Sequence, residues 1–400
     1  MVWGALDDDV QEMTMSKPVF DRLGLGLWVG AFLVVLVLVL LSPDTRSVLP
    51  AYRYGSEQFL AGGPLYNVQS EMGYLYAPAF AALYIPLLKL GPHLGGLIWH
   101  IVGFSVLTFA AMRQARKLGG SELPWLLSFG LFLALPMALG AIRNGQATIL
   151  LTGACWLLTL TALEGRRAEA FFWASVAIIA KPTAIIMLLL VGALRPRLIP
   201  VLVLAVLFVL ALPYAFAPAA YLNEQYRVFA GMLTSMAVDN ASHFVPTDFT
   251  APFTRIGLPI PDFGATIIRT VMALFTLSAV LWFDRKLERG MAGLAIFLTA
   301  AFYMCVFNPR VEPNTYAMIA VPAGLAIALL WREERGGMSA LVLSAVLFLT
   351  GLTSVERHMH EFFYPWFRPI AVTAIAGFLI WWFRATARSK VMNEGPVANG

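Results

Sequence analysis

The chain is poor in charge. Only 13% of its 400 residues are Asp, Glu, Lys or Arg, against ~25% in a soluble globular domain. With 59% hydrophobic residues and a mean hydropathy of +0.75, that shortfall excludes a water-soluble globule. Cysteine is scarcer still. Cys155 and Cys305 both lie inside apolar segments, where a thiol packs as a small hydrophobe and gives no disulfide framework or metal site. Alternating segments of about ten residues are missing, which argues against a transmembrane β-barrel. No Rossmann fingerprint for a nucleotide is present. The net charge of +5 comes from basic residues spread over short loops, a topology signal and no sign of a nucleic-acid partner.

What the chain has instead is apolar length. Runs near 23–41, 95–112, 125–142, 147–164, 169–180, 183–194, 198–216, 264–283, 290–307, 315–331, 337–355 and 366–383 punctuate it. Most approach the ~20 residues a helix needs to cross a bilayer. The expected fold is all-α, a polytopic membrane protein with about 12 transmembrane helices. The run 23–41 is too long for the apolar core of a cleavable signal and lacks a small-residue cleavage site.

Basic clusters mark one face: Arg113/Arg116/Lys117, Arg166/Arg167, Arg195/Arg197, Arg285/Lys286/Arg289, Arg332/Arg335 and Arg384/Arg388/Lys390. The positive-inside rule places them in the cytoplasm. Between Arg113 and a cytoplasmic N-terminus only two crossings fit, yet three apolar runs lie there. The run 74–90, interrupted by Pro78 and Pro86, is the one expected to lie against or dip into the outer face, protected by protein or a wet cavity. An arrangement with thirteen spans and an external N-terminus is the alternative. The expected plan is a cytoplasmic lead at 1–22, one transmembrane domain at 23–384 with outer loops 42–94 and 217–263, and a cytoplasmic tail at 385–400. The expected location is the plasma (inner) membrane, with both termini cytoplasmic and the active site on the outer, periplasmic face.

Almost every polar residue that topology does not explain falls on that outer face. The stretch Asn308-Pro309-Arg310-Val311-Glu312-Pro313-Asn314 packs a guanidinium, a carboxylate, two amides and two prolines between two apolar runs. Charges so near a bilayer are expensive and raise a functional hypothesis; the plain alternative is a turn in which Arg310 and Glu312 pair. Arg143-Asn144-Gly145-Gln146 has turn chemistry, although Arg143 and Gln146 exceed what a turn requires. The runs 169–180 and 183–194 are too short to span alone and meet at Lys181-Pro182. Broken helices of this kind line binding sites in other membrane proteins, and a fixed ammonium in a low-dielectric cavity suits a phosphate; the alternative is a snorkelling lysine. Tyr52 and Tyr66 can present polar tips from a short amphipathic helix or form an interfacial aromatic belt. The loop 217–263 is long enough to act as a lid or binding loop, and its Asn240-Ala241-Ser242 fits a glycosylation acceptor weakly. His358 and His360, with Glu356 and Glu361, lack the spacing of a zinc site.

Taken in order, Tyr52, then Phe59-Leu60-Ala61-Gly62-Gly63-Pro64-Leu65-Tyr66 and Tyr74-Leu75-Tyr76-Ala77-Pro78, resemble the first outer loop of the integral-membrane glycosyltransferases of family 87. These GT-C-type enzymes include the mycobacterial polyprenol-phosphate-mannose-dependent mannosyltransferase of phosphatidylinositol mannoside synthesis. Asn144-Gly145-Gln146, Ala180-Lys181-Pro182 and Asn308-Pro309-Arg310-Val311-Glu312 resemble the family's later motifs, and the resemblance covers roughly residues 45–330.

The resemblance implies a GT-C-like fold that moves a sugar, mannose in those relatives, with inversion from a polyprenyl-phosphate donor to a lipid or glycan acceptor, without a cofactor. It implies a carboxylate base in the first outer loop. Family members carry Asp about four residues before the tyrosine equivalent to Tyr52, where this chain has Val48. Asp44 is then the first candidate and Glu57 the second, with Glu312 a further alternative. Lys181, Arg310 and Arg143 are candidates for the donor phosphate. Tyr52, Tyr66, Asn144, Gln146, Asn308, Glu312 and Asn314 are candidates for sugar or acceptor. A transporter or flippase of lipid-linked saccharides, or a non-catalytic membrane subunit, is the competing reading.

Overall fold

The computed structural model describes residues 17–66, 73–235, 247–309, 311–333, 337–353, 358 and 362–393. Within them the secondary structure is helical throughout, with no strand. That outcome follows from the apolar lengths, because only a helix satisfies all its own backbone groups in lipid.

Among the described residues, eight helices are long and apolar enough to span. They are α1 (Lys17–Leu41), α4 (Gly91–Gly119), α5 (Leu123–Asn144), α9 (Ile199–Ala211, extended by 3₁₀ turns), α12 (Asp262–Lys286), α13 (Arg289–Val306), α14 (Ala317–Glu333) and α16 (Phe367–Asn393). The other runs expected to cross correspond to shorter helices, α6 (Ala147–Leu163), α7 (Arg167–Ala180), α8 (Ile185–Leu194) and α15 (Met338–Leu352). The helix α16 runs on to Asn393, well into the segment expected to be a tail.

The expected exception at 74–90 is a separate element. Pro78 opens α3 (Pro78–Lys89), which stops at Leu90 before Gly91 (φ 78°) starts α4. It lies against α2 (Leu49–Ala61), an amphipathic helix of the first loop. The two pack tightly because α2 offers small residues. Ser56 donates its hydroxyl to the Ala81 carbonyl at 2.8 Å. A Cβ on Gly55 would sit 2.4 Å from the Tyr74 ring.

The basic clusters do gather at one end of the bundle. There Arg113 binds Glu164 (2.5 Å) and Glu169 (2.9 Å), and Lys117 binds Glu164 (2.6 Å). Arg195 grips Asp284 through two bonds of 2.6 and 2.7 Å. Arg332 reaches the Leu118 carbonyl. Buried between the ends is one large apolar core that includes Trp28, Trp156, Phe297 and most of α6, α13 and α14.

Candidate active site

The opposite end is built from segments far apart in the chain. The turn after α1 meets the turn between α5 and α6: Val48 donates its N–H to the Asn144 carbonyl at 2.9 Å, and the Asn144 amide donates to the Arg46 carbonyl at 3.2 Å. Gly145 makes that second turn possible, since it closes α5 in the left-handed region (φ 70°), where a side chain is costly. Gln146 donates to Asn144 Oδ1 at 3.0 Å. The two amides expected to hold a sugar therefore buckle the first loop to the turn. Arg143, one residue earlier, lies within electrostatic reach of Arg46. Its Nη1 is buried without a hydrogen-bond partner among the described residues.

Beneath this buckle lies an aromatic cluster of Tyr52, Tyr66, Tyr74, Tyr76, Phe80, Tyr84 and Trp99. Tyr52 is fully buried; its hydroxyl accepts the Ala147 N–H at 2.9 Å and shares a 3.0 Å hydrogen bond with Tyr76. Ala147 opens α6, so Tyr52 satisfies one of the unpaired donors of that helix. Tyr66 is buried too, stacked on Phe229 and bonded to the Tyr76 carbonyl at 2.9 Å. Neither ring expected to stack a sugar has an open face. Both serve as packing and hydrogen-bond anchors.

Tyr76 feels charges of both signs. Its phenol is held above its ordinary range, chiefly by burial, with Lys181 pulling it down and Glu312 pushing it up. A cation from the middle of the chain and a carboxylate from near its end are therefore both within electrostatic reach of one hydroxyl. Lys181 reaches this place because α7 stops at Ala180. The lysine then adopts an extended backbone (φ −156°), and a 3₁₀ turn at Pro182–Ala184 leads into α8. At ~1.5 Å per residue, helices of 14 and 10 residues measure ~21 and ~15 Å, well short of a ~30 Å hydrocarbon core. The helix breaks at Lys181-Pro182, where the two short runs meet.

Glu312 is positioned by its own turn. Its N–H donates to Thr315 Oγ1 at 3.2 Å, and Pro313 starts the 3₁₀ segment that leads into α14. Asn314 lies against α5, with its Oδ1 3.8 Å from where a Cβ on Gly140 would be. Asn308 is buried at the end of α13. Arg310 lies outside the described residues, as do Glu356, His360, Glu361 and the Asn240–Ser242 segment.

The first-loop carboxylates are placed differently. Asp44 is exposed and paired with Arg53 at 2.5 Å, near Tyr84. Glu57 is exposed on the face of α2 opposite its buried residues Tyr52, Gly55, Ser56 and Phe59.

Sequence reasoning missed two groups here. Arg368, at the start of α16, donates to the Pro313 carbonyl at 2.7 Å and lies near Tyr316 and Tyr364. Asp248 is fully buried. It accepts Thr250 N–H (2.9 Å), Thr250 Oγ1 (2.6 Å) and Arg269 Nη2 (2.7 Å). Its neighbours Thr247 and Phe249 bond to Val311 and Val306, so this knot ties the outer loop to the 306–316 segment. A local signal existed for neither. An arginine opening an apolar run reads as topology, and Asp248 shows its partner only in three dimensions.

Residues 74–309 match the family model of glycosyltransferase family 87, from the Tyr74-Tyr76 segment through Lys181 to Asn308-Pro309. No curated protein and no solved structure matches the chain.

Proposed function

The chain belongs to glycosyltransferase family 87, whose model covers more than half of it, and on that premise we propose that it is an inverting enzyme that moves a sugar from a polyprenyl-phosphate donor to a lipid or glycan acceptor. The proposed reaction takes place at the end of the bundle that holds Tyr76, on the outer face of the plasma (inner) membrane. The observations that support this reading are the helix break that presents Lys181 and the electrostatic reach of both Lys181 and Glu312 to Tyr76.

Inverting transfer needs a base on one side of the anomeric carbon and charge stabilisation on the other. The base takes the acceptor hydroxyl proton as the new C–O bond forms, and the bond from C1 to the phosphate oxygen breaks with its electron pair. Glu312 has the position for the base, with Asp44, already engaged by Arg53, the first-loop alternative. Lys181 faces the leaving phosphate, and Arg143, with an unpartnered guanidinium nitrogen beside Arg46, supplies a second cation. Preplaced cations of this kind are usually the largest contribution an active site makes. Tyr76, a neutral phenol whose pKa burial raises further, lies within electrostatic reach of both Lys181 and Glu312. Arg368 braces the Glu312 turn through Pro313.

The membrane delivers the donor. A wholly apolar groove of about 540 Å³ runs between α8 and α9, starting at Ile185, four residues beyond Lys181. Its lining of leucine, isoleucine and valine suits an isoprenoid chain whose phosphate sits at the lysine.

The test is transfer from polyprenyl-phosphate sugars, mannose first, by purified protein. Wild type should transfer, and Lys181→Ala and Glu312→Gln should each lose about 10²–10⁴-fold in kcat, the usual span for a general base or an anion-stabilising group. If Asp44→Asn abolishes transfer while Glu312→Gln keeps full rate, Asp44 is the base and the class stands. Wild type that transfers nothing from any polyprenyl-phosphate sugar overturns the reading.

A further inference from the structure

A second groove lies at the basic end, away from Tyr76, and its chemistry differs. It has a volume of about 620 Å³ and is lined by Phe275 of α12 and by Gly377, Ile380, Trp381, Arg384 and Arg388 of α16. The α16 positions recur at spacings of three and four, so they form one stripe along the helix. From Gly377 to Arg388 the stripe rises ~16 Å, which is the depth of one leaflet of a ~30 Å hydrocarbon core.

The floor of the groove is apolar and its mouth is cationic. Gly377 leaves the deep end open, since a Cβ there would meet nothing within 4 Å. Trp381 stands 60% exposed midway. At the mouth, the Arg384 guanidinium lies 5.7 Å from the Trp282 ring centroid of α12, bridging the two helices. Arg388 follows one turn on, and α12 ends nearby in Arg285 and Lys286. Two arginines four residues apart on one helix face repel each other. A negative partner at the mouth removes that cost.

We infer that this groove binds one anionic phospholipid, with an acyl chain along Gly377, Ile380 and Trp381 and its phosphate between Arg384 and Arg388. The occupant is a two-chain phospholipid with net negative charge. A groove one leaflet deep suits a phospholipid chain, and charge complementarity at the mouth selects an anionic headgroup over a zwitterionic one. The inference is independent of the catalytic reading, because none of these residues belongs to the site around Tyr76.

Juxtamembrane arginines add about fivefold each to the affinity for anionic lipid, so the pair predicts about 25-fold discrimination. The experiment is native mass spectrometry of the full-length protein in detergent, titrated with phosphatidylglycerol and with phosphatidylcholine of the same chain length. Wild type should retain one phosphatidylglycerol about 25-fold more tightly than phosphatidylcholine. Arg384→Gln/Arg388→Gln should bind the two lipids equally. Gly377→Leu, which fills open space and leaves the arginines in place, should weaken both. Equal retention of both lipids by wild type, or unchanged discrimination in the double variant, overturns the inference. Sugar-transfer activity is not the readout, so the two readings fail separately.

Discussion

Replacing Tyr52 by Phe separates two roles that the sequence left open for this residue. The substitution keeps the ring in its cluster with Tyr76, Phe80, Tyr84 and Trp99 and removes only the hydroxyl. Two bonds go with it. The Ala147 N–H, fully buried at the start of α6, loses its acceptor, and a buried donor without a partner costs about 1–3 kcal/mol. Tyr76 loses a hydrogen bond worth about 1 kcal/mol. The loss of stability should come to about 2–4 kcal/mol, or roughly 2–5 °C in unfolding temperature for a chain of this size. The assay is thermal unfolding of purified protein in micelles, run beside steady-state kinetics with a polyprenyl-phosphate sugar. Tyr52→Phe should melt early while its donor KM stays near wild type. An unchanged melting temperature with a raised KM would show that the hydroxyl meets the substrate and that its role as an anchor for α6 is wrong.

Other outcomes follow from the same geometry. Asp248→Ala should cost about 3 kcal/mol, since breaking a buried ion pair costs ~3–5 kcal/mol and the partially exposed Arg269 (22%) recovers some solvent; a melting temperature equal to wild type would refute the knot. Gly55→Val should destabilise by about 2 kcal/mol, within the usual range for overpacking, because its Cβ meets the Tyr74 ring at 2.4 Å; stability equal to wild type would mean that the Tyr74 segment moves aside from α2 easily. Burial holds Tyr66, Tyr74 and Tyr76 above the ordinary phenol range. The unfolded chain therefore releases those protons first, near pH ~10, and stability should fall as pH rises above that value, by up to ~1.4 kcal/mol per unit for each phenol. A flat profile between pH 9 and 11 would sink this reasoning.

The sequence was most informative where a local pattern has one physical outcome. Long apolar runs must be helices in lipid, and Lys181-Pro182 between two short runs had to break the helix. The basic clusters converge at one end because those before the last helix each close a helix hairpin. Side-chain roles were less legible. A tyrosine near a membrane reads the same whether it faces sugar, lipid or protein, and only the Ala147 N–H shows that Tyr52 faces inward. Asn144 and Gln146 look like ligand amides until their partners, one 98 residues away, are known. Arg368 and Asp248 were invisible for the same reason, since their bonds cross 55 and 21 residues. Val48, the departure from the family pattern, contributes its backbone to the buckle with Asn144, so the position holds the loop whatever its side chain.

The charge around Tyr76 is lopsided, and the imbalance has a kinetic consequence. Asp44 neutralises Arg53 and Asp248 neutralises Arg269. Among the described residues at this end, Arg46, Arg143, Lys181 and Arg368 are set against Glu312 and the exposed Glu57. A neutral sugar gives no reason to hold that excess so near a bilayer, whereas a lipid phosphate does. The donor is a phosphodiester with one negative charge, and the product is a monoester that approaches two. One added charge ~6 Å from a cation is worth ~3 kcal/mol at an effective dielectric of ~20, and partial solvation reduces that figure. The site should therefore bind polyprenyl phosphate at least about tenfold more tightly than the polyprenyl-phosphate sugar, and product inhibition should be strong. In Lys181→Ala the preference should narrow, because the removed charge favours product over donor and the transition state lies between them. Inhibition constants measured for wild type and variant test this directly: equal affinity for donor and product in wild type would mean that these cations do not face the phosphate.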